Sequence, residues 1–382
     1  MRRSIAALLV LLLSVPAAAD TGSNPDANPD AKRIEKSGFA AENVGFVVVD
    51  LDQVRPVAEW NADQLFIPAS VAKLATVYAA EQILGADYRF QTRLYRAGDT
   101  VYLRGGGDPV LTNIELRDLA RMLKPGARGW KGFVYDASAL KGAPEVDGGQ
   151  PIQAVYNAGF GALDLDFNRI QVNWSRDEDG KLSFKTRAVA DGMNVPADWF
   201  SFLPASSEPP PGANFLYAGD ASSGPGGGPG GERWLTAPDL AETLPEEGAI
   251  FLPVKSPALN TAQVFRTIAA AQKVALPEPV PGAVPANAEL IGTIESPPLS
   301  EIIKGLLKFS NNITAELIGA TAMQKQTGRV LSQEESGAAL TAWLTARFPA
   351  TEWRGFTLVN HSGLGNRNRA SPRQIAGILT AL

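Results

Sequence analysis

Two stretches of helical periodicity frame this chain, and the sequence between them obeys a different rule. Residues 70–84 place Val71, Leu74, Ala75, Tyr78 and Ala79 on one face, with Gly85 as the stop. Helical spacing returns at 261–273 and runs strongly from 299 to 324. Between them lie short apolar runs broken by turn residues: a hairpin at 90–95 and 100–103, then strands at 132–136 and 169–174. Ahead of the first helix, 44–51 reads as a buried strand and 56–60 as its returning partner. A strand pair feeding a helix predicts a sheet covered by helices, so the fold class is α/β (α+β) with a β-rich insertion of about 160 residues, an ordinary domain size. The expected division is 35–89 together with 256–382 for the framing domain, and 90–255 for the insertion. Residues 204–232 hold Pro209-Pro210-Pro211 and a Gly-rich run to Gly231, and are expected to form a long surface loop or linker.

Residues 1–19 read as a secretory signal. Arg2 and Arg3 form a positive start, an almost wholly apolar stretch follows, and Ala17-Ala18-Ala19 offers a cleavage site before Asp20. The apolar run is too short to span a bilayer, which needs about 20 residues. A flexible polar leader at 20–34 follows, and the expected location is periplasmic, without a stable transmembrane anchor. The 35 basic and 40 acidic residues give a net charge of −5, so there is no cationic excess for nucleic acid. With no Cys and a single His, disulfides, thiol nucleophiles and Cys- or multi-His-ligated metals are excluded. No cofactor and no metal are expected.

The chemistry-bearing candidate is Ser70-Val71-Ala72-Lys73. On a helix, positions i and i+3 share a face, so the lysine amine reaches the serine hydroxyl. A serine is a poor nucleophile until a base takes its proton, and a desolvated lysine can be that base. This spacing arises by chance about once in 300 positions. An N-cap serine followed by a solvated lysine therefore reads the same four residues. A second element is Ser310-Asn311-Asn312 between two helical stretches, also readable as a polar helix–helix turn.

The surroundings of these residues resemble the active-site entry of penicillin-recognising serine acyltransferases. Further blocks are similar to the D-alanyl-D-alanine carboxypeptidase/endopeptidases of the class C low-molecular-mass penicillin-binding proteins. They are Gly105-Gly106-Gly107-Asp108-Pro109, Tyr156-Asn157-Ala158 with Asp166-Phe167-Asn168-Arg169, and Ser296-Pro297-Pro298-Leu299. Asn360-His361-Ser362-Gly363-Leu364-Gly365 is similar to the family's D-G-S-G-L-S, departing at its first, second and last places. The resemblance implies a penicillin-binding, serine β-lactamase-like transpeptidase domain. It implies a serine DD-peptidase acting on peptidoglycan stem peptides, with β-lactams as covalent inhibitors. Ser70 would be the nucleophile, Lys73 the general base, Ser310 the proton relay, and Asn312 the group that positions substrate and lysine.

The family's K-T-G segment is absent. Lys325-Gln326-Thr327-Gly328 carries an extra residue and precedes Asn360, and Lys185-Thr186-Arg187 lies in the insertion. A final helix with Ser371 as N-cap and Pro372 next ends on apolar Leu382 without a tail, which reads as a C-terminally truncated chain. In this family that segment supplies the second oxyanion donor, and loss of one such donor costs about 10²–10³ in rate. The 382-residue chain is therefore expected to be poorly active. A catalytically silent wall-binding scaffold of the same fold is the alternative, and a β-lactamase or esterase using the same serine is a third reading. His361 is read as a surface or structural residue, Asp108 and Asp136 as turn caps, and Arg367 and Arg369 as wall-attracting or solvated cations.

Overall fold

The computed structural model describes residues 7–13, 34–124, 129–190, 192–205, 214–221 and 230–381. Most of the signal and almost all of the leader lie outside them. The chain divides into two compact units. The first joins Met1–Gly85 to Ala322–Leu382, and the second is Ala86–Thr321. The first division lies near the expected 89/90, whereas residues 256–321 fall with the second unit.

In the first unit, strands Val44–Asp50 and Arg55–Trp60 form the expected antiparallel pair, and Ala7–Leu13 pairs antiparallel on the other side of Val44–Asp50. The expected helix at 70–84 is split. A 3-10 turn, Ala69–Ala72, precedes an α-helix, Lys73–Leu84, which ends on Gly85 at φ 94°. Helix Gln333–Arg347 opens with a capping box from Ser332 and Glu335. Helix Pro372–Leu379 opens the same way, from Ser371 and Gln374. Tyr78 is buried with its ring 5.8 Å from Trp343 and 5.3 Å from Phe348. Phe66 is also buried, and it exchanges backbone hydrogen bonds with Ala370 at 2.9 and 3.1 Å. This bridge fixes the segment that enters Ser70.

In the second unit a five-stranded sheet takes the spatial order Pro279–Pro281, Gly132–Asp136, Thr100–Arg104, Gln91–Ala97, Glu289–Glu295. A four-stranded antiparallel sheet and a three-stranded sheet complete it. Their core gathers Leu94, Leu103, Phe133, Trp234 and Phe265. Two readings need correction. The 204–232 stretch is not loop throughout, because Phe215–Ala221 is a strand pairing antiparallel with Gly231–Thr236. The insertion also contains a helix, Asn113–Arg121, whose start is fixed by Thr112 and Glu115 as a capping box. The three glycines at 105–107 have a packing reason. A Cβ on Gly105 would lie 2.1 Å from the Ala162 carbonyl oxygen, so only glycine lets these backbones touch.

Deleting a buried phenyl ring typically costs about 3–5 kcal/mol. Phe66→Ala is therefore expected to lower stability by that amount in urea denaturation followed by the fluorescence of Trp343 and Trp353, which share its unit. A loss under about 1 kcal/mol would show that Phe66 does not anchor this segment.

Candidate active site

Ser70 lies in the 3-10 turn that follows Pro68, and Ala69 before it adopts a left-handed φ of 45°. Such a conformation costs an L-residue about 1–3 kcal/mol and persists only where its surroundings enforce it. The turn leaves Ser70 exposed and Lys73 buried at 2% exposure. Lys73 Nζ donates to Ser70 Oγ at 3.0 Å and to the Ser362 carbonyl at 3.1 Å. The structure thus brings together the two residues that the S-x-x-K spacing proposes, and it buries the amine. The reading of Lys73 as a solvated lysine is excluded.

The loop that supplies the Ser362 carbonyl is tied internally by two asparagines. Asn360 Oδ1 accepts from Gly363 N at 2.9 Å, and Asn360 Nδ2 donates to the Leu364 carbonyl at 2.8 Å. Asn368 Oδ1 accepts from Val359 N at 2.9 Å. Thr76 Oγ1 fastens the loop to the Lys73–Leu84 helix through the His361 carbonyl at 2.7 Å. Gly363, at φ 77°, is the close-approach point, since a Cβ there would lie 1.9 Å from the Ala69 carbonyl oxygen. His361 is structural, as one of its two readings had it, but it is no surface residue. It is 1% exposed, with Nε2 and Ser336 Oγ 2.7 Å apart. Burial pushes its imidazole down to about 3. Arg367 pairs with Glu334 at 2.6 Å, and Arg369 donates to backbone carbonyls of its own turn, so both have local structural ties.

In the second unit, Ser310 caps the Leu299–Phe309 helix at a left-handed φ of 55°. Asn311 Oδ1 accepts from Thr314 N at 2.9 Å and so starts the Asn312–Thr327 helix. Asn312 Nδ2 donates to the Tyr156 carbonyl at 2.9 Å. The carbonyl of the next residue, Asn157, accepts from buried Lys255 Nζ at 2.8 Å. Burial lowers the Lys255 ammonium to about 8 against the opposing pull of Glu145 and Glu232.

The two aspartates read as turn caps both cap turns. Asp136 accepts from Ser138 N at 2.9 Å and Val284 N at 2.9 Å. Burial alone would raise its carboxyl, but the bonds from Ser138 and Val284 hold it below the usual range. Asp108 accepts from Val110 N at 3.0 Å, yet its burial pushes it up to about 7. Its charged neighbours are Glu115 and Asp164, and burial raises Asp164 as well. Asp164 is a group that the sequence reading missed. Its only signal is a carboxylate inside the apolar run Ala162-Leu163-Asp164-Leu165.

The burial of His361 sets a sign for stability against pH. The unfolded histidine titrates near 6.5, while the folded one stays neutral down to about 3. The contribution is complete above pH 6.5 and is lost as the pH falls from there toward 3, by up to about 1.4 kcal/mol per unit. In guanidinium denaturation at pH 7.5 and 5.5, the chain is expected to lose about 1.4 kcal/mol more than His361→Gln. An equal loss in both would show that His361 titrates normally in the fold.

The sequence profile described as the D-Ala-D-Ala carboxypeptidase 3 (S13) family matches residues 31–195 and 241–382. The chain is 27% identical over 303 residues to a D-alanyl-D-alanine carboxypeptidase of Actinomadura sp. (strain R39), covering 74% of this chain and 54% of that protein. It is 29% identical over 126 residues to the D-alanyl-D-alanine carboxypeptidase DacB of Haemophilus influenzae, covering 31% of this chain and 26% of the relative. It therefore spans about half the length of the first relative and about a quarter of the second. The crystal structure of penicillin binding protein 4 (dacB) from Haemophilus influenzae superimposes with a TM-score of 0.65 at 19% identity, over 88% of this chain and 74% of that one. This likeness bears out the penicillin-binding fold. With the profile covering most of the sequence, the chain belongs to the D-Ala-D-Ala carboxypeptidase 3 (S13) family.

Proposed function

We propose that this protein is a serine DD-peptidase that cleaves D-alanyl-D-alanine bonds of peptidoglycan stem peptides through an acyl-enzyme on Ser70. The observation that carries this reading is the buried Lys73 amine donating to an exposed serine hydroxyl at 3.0 Å. A lysine in that place, in its neutral form, takes the hydroxyl proton as Ser70 Oγ attacks the carbonyl of the penultimate D-alanine. The Ser70 N–H donates to the developing oxyanion. Ser310 passes the proton to the leaving amine, the carbon–nitrogen bond breaks, and D-alanine departs. Asn312 orients the substrate amide. Water then hydrolyses the ester and restores the Ser70 hydroxyl.

β-Lactams acylate the same oxygen in this scheme. The names of the curated relatives support the assignment, as does the Haemophilus influenzae penicillin binding protein 4 structure complexed with a β-lactam. Export with cleavage at Ala19 would remove the strand Ala7–Leu13 from the mature chain and deliver the enzyme to the periplasm. Among the described residues no helix is long and apolar enough to cross a membrane. The second reading is a silent wall-binding protein of the same fold.

A fluorescent penicillin separates the two readings. Covalent labelling that survives denaturation is expected, with complete loss in Ser70→Ala. Lys73→Met should slow labelling about 10²–10⁴-fold, the range of a general base. A folded protein that takes no label would support the silent reading, and label retained by Ser70→Ala would refute the assigned nucleophile.

A further inference from the structure

Within the second unit, Asn312 is seated on a turn that has little cover of its own. Its Nδ2 donates to the Tyr156 carbonyl, inside the 3-10 turn Val155–Asn157. Val155 and Tyr156 are both exposed, so apolar packing does not fix this turn, whereas Asn157 at its end is buried. The hold comes from hydrogen bonds at Asn157. Its Oδ1 accepts from Val146 N at 3.0 Å and Asp147 N at 2.9 Å, and its Nδ2 donates to the Asp147 carbonyl at 3.0 Å. Those bonds reach only a neighbouring loop. Its carbonyl accepts from Lys255 Nζ at 2.8 Å, and Lys255 stands at the junction of strand Glu247–Pro253 with helix Pro257–Ala271. Gly159 N, donating to the Val254 carbonyl at 2.8 Å, fastens the residues that follow to the same junction.

The junction is built to present that amine. Glu232 Oε1 accepts from Lys255 N at 2.7 Å and from Ser256 N at 2.8 Å, and Glu232 Oε2 accepts from Trp234 Nε1 at 3.2 Å. A buried carboxylate thus closes the start of the helix and fixes the backbone from which the Lys255 side chain leaves. That side chain is fully enclosed, with Glu145 Oε2 at 3.8 Å as an ion partner. Taking an ammonium out of water costs several kcal/mol, and an apolar side chain of the same length would fill the space without that cost. What the lysine adds is a charged donor, whose hydrogen bond is about twice as strong as a neutral one. Lys255 also lines a cavity of about 360 Å³ with Leu140, Phe160 and Asp220, so its head has room beside it.

We propose that Lys255 is a positioning residue for the reaction. By holding the Asn157 carbonyl it fixes the adjacent Tyr156 carbonyl, and through it the side-chain amide of Asn312. Lys255 touches no substrate in this scheme and acts through Asn312 alone. The consequence for catalysis rests on the DD-peptidase reading, in which Asn312 orients the substrate amide. The seating of Asn312 rests on the contacts themselves, a relay of two hydrogen bonds on successive carbonyls.

The test reads Asn312 in two ways in the full chain. In NMR with nitrogen-labelled asparagine, the Asn312 side-chain amide is identified by its loss in Asn312→Ala. It is expected to shift in Lys255→Met and to stay in place in Lys181→Met, which removes an exposed lysine of the same unit. Acylation by a fluorescent penicillin should slow about tenfold or more in Lys255→Met, as for loss of a hydrogen bond from a charged group. In an Asn312→Ala background the same substitution should cost less than about twofold, because the group it positions is gone. Lys255→Arg keeps charge and donor, with the neighbouring cavity for its larger head, and should retain most of the rate. Lys255→Gln, one atom shorter, should lose as Met does, and answers the question if Met prevents folding. An unmoved amide, or losses that add in full in the double variant, overturns the inference. A chain that takes no label would refute the peptidase reading, while the amide shift still decides whether Lys255 seats Asn312.

Discussion

Removing an amine from water without hydrogen-bond partners costs several kcal/mol, and Lys73 is almost entirely removed from water. Two partners that hold it come from opposite ends of the first unit: the Ser70 hydroxyl one turn away, and the Ser362 carbonyl nearly three hundred residues later in the chain. The second partner requires the 360–365 loop to approach the Ala69 carbonyl within van der Waals contact, which only glycine at 363 permits. The Thr76 bond to the His361 carbonyl and the Phe66–Ala370 bridge hold the same elements together. Both strands and helices of this unit serve one contact, a lysine that is dry and a serine that is not.

Val54, Asn61 and Lys273 are left-handed in turns away from the proposed chemistry, but two further left-handed residues stand at its motifs. Ala69 precedes the nucleophile and Ser310 opens the second motif, and both are left-handed without being glycine. The run Asp166–Asn168 adds three more such residues just before strand Arg169–Arg176, where Asn168 Oδ1 accepts from Leu165 N at 3.1 Å and Asp166 N donates to the Leu111 carbonyl at 2.9 Å. In each place local hydrogen bonds or packing over-determine the turn, which is how such conformations survive. At Ser310 the bond from its N–H to the Leu306 carbonyl, at 2.7 Å, does this by closing the helix.

Elements fixed by local signals were legible in the sequence. The strand Val44–Asp50, the stop at Gly85 and the cap at Ser371 depend on residues within a few positions of each other. Ser70 and Lys73 were legible for the same reason, one helical turn apart. The helix Asn113–Arg121 carried a readable signal in Thr112 and Glu115 that the strand-rich surroundings masked. What depends on distant partners was not legible. Strand Phe215–Ala221 exists because Gly231–Thr236 pairs with it, though the tract around it is rich in Gly and Pro. The burial of His361 depends on Ser336 on another helix, and the raised carboxyls of Asp108 and Asp164 on segments more than fifty residues apart.

The central claim is that the buried lysine makes the Ser70 oxygen reactive toward a D-alanyl-D-alanine peptide. Intact-protein mass spectrometry of an acid-quenched reaction with a diacyl D-Ala-D-Ala peptide tests it in one turnover. The expected product is a protein heavier by one acyl group, localised by peptide mapping to Ser70, with the adduct missing in Lys73→Met. An adduct on another residue, or one that forms equally fast without the lysine amine, would contradict it.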